Sequence, residues 1–326
     1  MVFYITVLRA LAACLITNAH YTGIYPTDLI ANGGLIGDVI FFAVSGFCLS
    51  NIKMAFPRWY GKRVVRCYLP VILATAVYML LGAYSLSDHS FLWWFGYPTY
   101  YHFIASIVIL YVPFYVIMAV PKLKTNLPLV MMGVGVVYLA VYLFLYDKSY
   151  YHIDTVREPM IRFLFMESML LGAYFKQKDE QYRNRFSWWH LAALVLSFVL
   201  YFASKLVFAR SGETINNFQI INQILILVLL YFALRVCSGL DARMDRLPKW
   251  IKAAIRYVAT LTLEIYVVQY VLIDWIRPYF GFPLNWLAIT AAIFAAAVVL
   301  HYVCKLILWS SETGLKKIGA CRKGNA

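Results

Sequence analysis

The sequence predicts an all-helical integral membrane protein that crosses the bilayer many times. Of its 326 residues, 63% are apolar and only 13% are charged, whereas soluble globular domains are about 45–50% apolar and about 25% charged. Apolar runs of about 20 residues, long enough to cross the hydrocarbon core as helices, recur along the whole chain. Lys and Arg lie in short clusters between these runs, as in juxtamembrane loops. This distribution argues against a nucleic-acid partner, although the formal net charge is +14.

About ten segments have the length and apolar character of membrane spans. The first is expected to be a retained helix rather than a signal peptide, because no basic region precedes it and Arg9 lies inside it. No linker or soluble insertion interrupts the series, so we expect one transmembrane domain over residues 1–310 and a short basic cytoplasmic tail over 311–326. The predicted spans are roughly 3–23, 34–52, 68–86, 100–120, 127–146, 160–175, 187–208, 218–237, 255–275 and 284–308.

The basic residues predict the orientation of these spans. The tail, the connections after the second, fourth, sixth and eighth spans and the span ends beside them contain 22 Lys and Arg residues. The alternate connections with their span ends contain five. Cytoplasmic loops carry the excess of Lys and Arg, so both termini are expected in the cytoplasm. The six cysteines form no CxxC pair and no Cys/His metal-binding spacing, so no metal site is expected.

Five ionisable residues are selected from those within predicted spans: Arg9, His20, Asp38, Glu167 and Glu264. Each costs at least about 2.5–3.5 kcal/mol at bilayer depth, and such residues usually have a function. Arg9 and His20 are the strongest candidates, since an eleven-residue spacing places both on one helix face, roughly 16 Å apart along the axis. A snorkelling arginine and a histidine that caps the helix are the alternative. Glu167 and Glu264 are weaker candidates.

Asp38 is expected near the depth of His20, in the outer half of the membrane. A carboxylate beside an imidazole fixes its tautomer and raises its basicity, which suits general-base activation of a hydroxyl. A structural aspartate near a helix end is the alternative. On the cytoplasmic side, Arg63 and Arg66 share a face if their segment is helical. Two guanidinium groups so placed can bind phosphate, although positive-inside topology alone would also explain them.

Three motifs in order within the first 70 residues carry a resemblance to a known family. Arg9 and His20 match an Arg-x10-His signature, residues 37–47 (GDVIFFAVSGF) match a second-helix pattern, and Arg63 and Arg66 match an Arg-x-x-Arg segment. The chain resembles membrane-bound acyltransferase family 3, the polysaccharide and LPS O-acetyltransferase-like enzymes. Residues 168–172 and 264–269 resemble later parts of the pattern, with Gln269 where many relatives have His.

The resemblance implies a fold of about ten spans in a bacterial cytoplasmic (inner) membrane. It implies transfer of an acyl group, usually acetyl, from cytoplasmic acyl-CoA to a hydroxyl of a cell-surface or lipid-linked carbohydrate such as O-antigen, capsule or exopolysaccharide. His20 would be catalytic with Arg9 as its polar partner, and Arg63 and Arg66 would bind the donor phosphates. Acetyl-CoA or another acyl-CoA would be a substrate, with no tightly bound cofactor. Membrane lipids are expected partners, and a homo-oligomer is left open.

The thioester oxyanion needs a hydrogen-bond donor, which we place near Ser45, Gly46 and Phe47. The main alternative function is a transporter or flippase for a lipid-linked sugar, since charges within the membrane also mark transport pathways. No inverted repeat and no pair of Gly/Pro-broken helices in matching halves is visible, and the three ordered motifs favour the enzyme.

Overall fold

The computed structural model describes residues 2–96 and 101–324, and within these ranges the regular structure is helical throughout. Each of the ten predicted spans is largely helical, and one of them, 255–275, is divided between two helices. Short helices and one 3-10 turn, Arg277–Tyr279, lie in the connections. The helices are α1 Phe3–Ala19, α2 Gly34–Leu49, α3 Phe56–Leu80, α4 Phe91–Phe95, α5 His102–Ala119, α6 Pro121–Thr125, α7 Leu127–Phe144, α8 Ile161–Gln177, α9 Asp179–Tyr182, α10 Trp188–Arg210, α11 Glu213–Asn216, α12 Ile220–Gly239, α13 Asp241–Asp245, α14 Lys249–Thr260, α15 Thr262–Ile276 and α16 Leu284–Gly324.

Six of the described helices are long and apolar enough to span a membrane: α3, α5, α7, α10, α12 and the Leu284–Ser310 part of α16. The bent pair α14 and α15 makes a seventh candidate if it is counted as one span. Helices α1 and α2 are apolar but have only 17 and 16 residues, which is about 25 Å at 1.5 Å per residue. The structure therefore supports six or seven spans by length and composition, and the predicted count of about ten is not confirmed.

The short helices lie inside the bundle and several long ones lie outside. Most residues of α1, α2 and α8 are buried against other helices. In contrast, only 17% of the apolar window of α7 and 22% of those of α10 and α16 are buried. Exposed apolar faces on the outer helices are what lipid contact requires, whereas polar groups in a membrane protein face the bundle interior. The central helices are therefore the ones suited to carry polar chemistry.

Helices α2 and α8 approach each other closely through glycines. A Cβ atom on Gly46 would lie 1.9 Å from the carbonyl oxygen of Met169, and one on Gly172 would lie 1.8 Å from that of Ala43. Small residues at helix interfaces allow this approach of two backbones. Phe42 and Phe165 stack beside the contact, with ring centroids 4.2 Å apart. The glycine contacts therefore fix the position and rotation of α2.

The predicted span 255–275 is not one straight helix. Helices α14 and α15 meet at a bend of 69°. The hydroxyl of Thr260 donates to the carbonyl of Arg256 and that of Thr262 donates to the carbonyl of Ala259. Such threonine bonds compete with the helical ladder and bend helices. Helix α16 continues from Leu284 to Gly324 and so includes most of the segment predicted as the tail.

Candidate active site

The candidate site is a cavity of about 540 Å³ that opens between the central helices and α16. Helices α1, α2, α3, α5, α15 and α16 all contribute to its wall, together with the end of α14. The described wall carries four cationic side chains and one carboxylate, against a largely apolar background. Its ionisable residues are Arg9, Arg63, Arg66, Glu264, His301 and Lys305.

Arg63 and Arg66 lie on the wall from α3, which begins at Phe56 and so includes both residues. The segment is therefore helical, as a shared face for the two arginines requires. The guanidinium carbon of Arg63 lies 5.7 Å from the ring centroid of Trp59, a cation–π distance. Pro70 lines the same wall and has no N–H group, so the carbonyl of Arg66 lacks its usual helical partner.

Arg9 enters the cavity from α1, where it is partly buried. It lies within electrostatic range of Arg66 and of Glu264. The structure thus brings together three arginines that were predicted separately, two of them as donor-binding residues and one as the partner of the catalytic histidine. The three arginines line one cavity from two helices, which makes its wall strongly cationic.

Glu264 forms an ion pair that the sequence analysis missed. The Nδ1 atom of His301 lies 2.9 Å from Glu264 Oε1, and both residues line the cavity. The side chain of Glu264 is only 10% exposed. His301 falls inside the last predicted span, 284–308, so the rule that selected His20 would also have selected it. The pairing itself could not be predicted, since 37 residues separate the partners.

His20 lies at the other end of α1 and is not among the residues that line the cavity. It caps the helix and is partly buried. Its Nε2 atom lies 3.3 Å from the hydroxyl of Tyr270 on α15. The two rings are in edge contact, with centroids 4.7 Å apart. Tyr270 lies within the predicted span 255–275 but was not singled out by the sequence analysis.

The predicted contact between Asp38 and His20 is replaced by this tyrosine contact. Asp38 is buried, and no ion pair joins it to His20 in the part of the chain that the structure describes. Its neighbour Gly37 faces α1, because a Cβ there would lie 2.8 Å from Ile16 and 2.9 Å from the carbonyl oxygen of Ala12. Asp38 is the next residue of α2, so it is rotated about 100° around the helix axis from the direction in which Gly37 faces α1. It remains within electrostatic range of Tyr270.

The end of α1 that carries His20 is held by Asn18. Its Nδ2 atom donates to the carbonyls of Ile30 and Asn32, at 2.7 and 3.0 Å. Its Oδ1 atom accepts a hydrogen bond of 2.7 Å from the hydroxyl of Tyr25. These bonds order the connection between α1 and α2, in which His20 is the first residue. The imidazole is therefore attached to a fixed turn.

The cytoplasmic-facing end of α1, as predicted from charge, is fixed as well. The hydroxyl of Tyr4 donates to Asp179 at 3.0 Å, and its backbone N–H donates to Asp241 at 2.8 Å. Arg183 forms an ion pair with Asp179, and hydrogen bonding to that carboxylate raises the pKa of Arg183. Helix α1 is thus held at both ends, which fixes the depths of Arg9 and His20 within the bundle.

The structure separates the three residues predicted to lie near the oxyanion. Ser45 lines the cavity. Gly46 packs against the backbone of Met169, where no ligand atom fits. Phe47 is buried in edge contact with Tyr4, at a centroid distance of 6.0 Å. Only Ser45 is therefore placed to donate a hydrogen bond into the cavity.

Glu167 does not belong to the cavity wall. It is buried on α8, and its Oε1 atom has no hydrogen-bond partner among the described residues. The same atom lies 3.9 Å from the position that a Cβ on Gly135 would occupy. Glu167 therefore faces α7 and lies outside the wall formed by Arg9, Arg63 and Glu264.

Comparison with known proteins gives one match. A family model described as an acyltransferase domain matches residues 2–306. No curated protein and no solved structure matches the chain. The matched range includes both ends of α1, the whole cavity wall up to Lys305, and the His20–Tyr270 contact. It covers nearly the whole chain, so the match concerns the bundle as a unit.

Proposed function

The chain belongs to acyltransferase family 3, and on this premise we propose that it is an O-acyltransferase that uses cytoplasmic acyl-CoA, with acetyl-CoA as the first donor to test. The proposed acceptor is a hydroxyl of a cell-surface or lipid-linked carbohydrate, such as O-antigen, capsule or exopolysaccharide. The family match supports acyl transfer by a membrane protein. We add to it a bacterial cytoplasmic membrane location, which the family resemblance implies, and about ten crossings, which rest on the length of the apolar runs. Cytoplasmic termini, which rest on the distribution of Lys and Arg, are also part of the proposal.

The observation that carries the proposal is the convergence of Arg9, Arg63 and Arg66 on one cavity. Coenzyme A has a head with several phosphate groups and a long thin arm that ends in the thioester. Guanidinium groups bind phosphate oxygens with paired hydrogen bonds. A cavity with cations at its wall and an apolar interior suits the head and the arm of this donor better than it suits a neutral sugar.

His20 is the proposed catalytic base. Its imidazole takes the proton of the acceptor hydroxyl while the hydroxyl oxygen attacks the thioester carbonyl, the C–S bond breaks, and coenzyme A leaves with its sulfur protonated by solvent. Tyr270 orients the ring through the 3.3 Å contact. Transient acylation of His20 is the alternative mechanism: the imidazole nitrogen attacks the thioester carbonyl and the C–S bond breaks, and the acceptor hydroxyl then attacks the acyl-imidazole, gives up its proton and releases the ring. The cavity wall ends short of His20, so we propose that donor binding opens a path along α1, over roughly 16 Å.

Release of free thiol from acetyl-CoA by the purified protein, in the presence of a glycan acceptor, tests the proposal. We expect acceptor-dependent thiol release, and weaker acyl-CoA binding in the Arg63→Ala/Arg66→Ala variant than in a Lys122→Ala control. Lys122 is a cytoplasmic cation by charge analysis and lies away from this cavity. Movement of lipid-linked sugar without thiol release would identify a transporter instead.

A further inference from the structure

One face of α16, near its predicted cytoplasmic end, lines the cavity as a continuous stripe of residues. Residues 301, 304, 305, 308 and 309 all line its wall, a spacing that places them on a single helix face. From this geometry we propose a nucleotide subsite, in which Lys305 binds phosphate and Trp309 stacks on the base of the donor. The inference rests on the proposed use of acyl-CoA and assigns residues that neither the motifs nor the family match singles out.

Charge is the first argument for this subsite. Lys305 extends from α16 into the cavity that Arg63 and Arg66 line from α3. It forms no ion pair in the part of the chain that the structure describes. The single carboxylate of the described wall, Glu264, is paired with His301 instead. Lys305 is thus a fourth cation of the described wall, available for a ligand that carries a diphosphate and a further phosphate.

Trp309 supplies the second argument. It follows Lys305 by one helical turn, about 6 Å along the axis, and its side chain is 64% exposed while lining the cavity. It lies eight residues beyond His301, toward the end of the stripe nearest the predicted cytoplasmic surface. Indole rings stack on nucleobases regardless of base identity. An indole beside a phosphate-binding cation matches the order of groups in an adenine nucleotide.

Two donors that share the thioester arm test the subsite. Acetyl-CoA carries the nucleotide, and acetyl-pantetheine lacks it. We expect Lys305→Ala and Trp309→Ala each to raise the KM for acetyl-CoA by about fivefold or more with kcat within about twofold. The KM for acetyl-pantetheine should stay close to that of the unaltered protein, because this donor has no group for either side chain to bind. Lys305→Arg should restore much of the loss at that position.

Matched controls are available outside the cavity. Lys122→Ala removes a cation of the same predicted surface, and Trp250→Ala removes a tryptophan of α14 that is 73% exposed. Neither residue lines the cavity, so neither control should change the ratio of the two KM values. An equal loss with both donors, or variants that behave as the controls do, would overturn the subsite.

Direct binding separates this inference from the proposed function. Adenosine 3′,5′-bisphosphate is the probe, since it carries the base and phosphates without thioester or acyl group. We expect it to bind the unaltered protein and to bind Lys305→Ala at least about fivefold more weakly. Equal binding to both proteins contradicts the subsite. Clear discrimination without any thiol release contradicts acyl transfer and leaves the nucleotide subsite standing.

Discussion

The residue that contacts His20 is Tyr270, whose hydroxyl lies 3.3 Å from the imidazole Nε2 atom. A phenol can orient an imidazole by hydrogen bonding without adding a charge to the membrane interior. Asp38 is buried nearby but forms no ion pair with His20 among the described residues. The proposed base, His20, is therefore oriented by a neutral residue of α15. The effects of His20 and Tyr270 can be tested by separate substitutions.

His20→Ala should reduce O-acetylation of the surface glycan by about 100-fold or more, since general-base catalysis contributes about 10²–10⁴-fold. Mass spectrometry of glycan from cells with equal protein levels measures the effect. His89→Ala serves as the control, because His89 is an exposed histidine stacked on Trp93. Unchanged acetylation in His20→Ala at equal expression would exclude the proposed base.

Tyr270→Phe keeps the aromatic ring and removes the hydroxyl group that contacts His20. One hydrogen bond contributes about 0.5–1.5 kcal/mol, so kcat should fall by about two- to tenfold while the KM for acyl-CoA stays unchanged. Steady-state thiol release measures both constants. Tyr279→Phe is the control, since Tyr279 is 78% exposed. A change in the KM alone would place Tyr270 in donor binding instead.

The contributions of Glu264 and His301 to the free energy of unfolding should be coupled. Replacing His301 by Ala leaves a buried carboxylate without its partner, at a cost of about 1–3 kcal/mol. Glu264→Gln together with His301→Ala should cost less than the sum of the single variants, because neighbouring residues are not additive. Thermal unfolding in detergent completes this double-mutant cycle. Strict additivity would mean that the 2.9 Å contact contributes nothing to stability.

At the scale of elements, the contact between α2 and α8 determines where the site residues of α2 point. The rotation of α2 turns Gly46 to Met169 and Gly37 to α1. It leaves Ser45 on the cavity wall. Part of the glycine-containing motif at residues 37–47 is therefore explained by helix packing rather than by chemistry.

Gly172→Ala should destabilise the protein strongly, because the new Cβ would lie 1.8 Å from the carbonyl oxygen of Ala43. Two backbones must separate to admit it, and overpacking of this kind costs about 1–3 kcal/mol or more. The apparent Tm in detergent is the measurement. Gly133→Ala is the matched control, since nothing lies within 4 Å of its added Cβ. Equal Tm values for the two variants would contradict the close α2–α8 contact.

The break between α14 and α15 has a similar effect on the cavity. Helix α14 bends away by 69°, and Thr260, Leu263 and Glu264 at the break all line the wall. A straight helix over 249–276 would continue past the cavity without turning. The threonine hydroxyls that bond to backbone carbonyls at 2.8 and 2.9 Å therefore help to shape one side of the candidate site.

At the scale of the whole molecule, the distribution of Lys and Arg predicts an even number of membrane crossings. A phosphatase reporter, which is active only outside the cytoplasm, should be active when fused after Ser87 and inactive when fused after Lys124. A fusion at the C-terminus should also be inactive, because the basic clusters are expected to keep both termini inside. A green fluorescent reporter at the same positions should give the opposite pattern. An active phosphatase at the C-terminus would contradict the predicted sidedness.

The sequence by itself determined that this protein is all-helical and suited to a membrane, and it supplied the first candidates for the site. Hydropathy and residue spacing are local properties, so they predicted a helix at every apolar segment and a shared face for Arg63 and Arg66. The motif with Arg9 and His20 indicated the family that the match over residues 2–306 then established. The length of the first helix was not determined in this way, since the sequence predicted a span over 3–23 and α1 has only 17 residues.

Only the tertiary structure decided which of these residues meet. It paired Glu264 with His301 and His20 with Tyr270. It added Lys305 to the arginine cavity and kept His20 off its wall. The rotation of each helix about its axis depends on packing against neighbours distant in sequence, as at Gly46 and Gly172. Hydropathy is nearly the same for every rotation of an apolar helix in an apolar surrounding, so it carries no information about that choice.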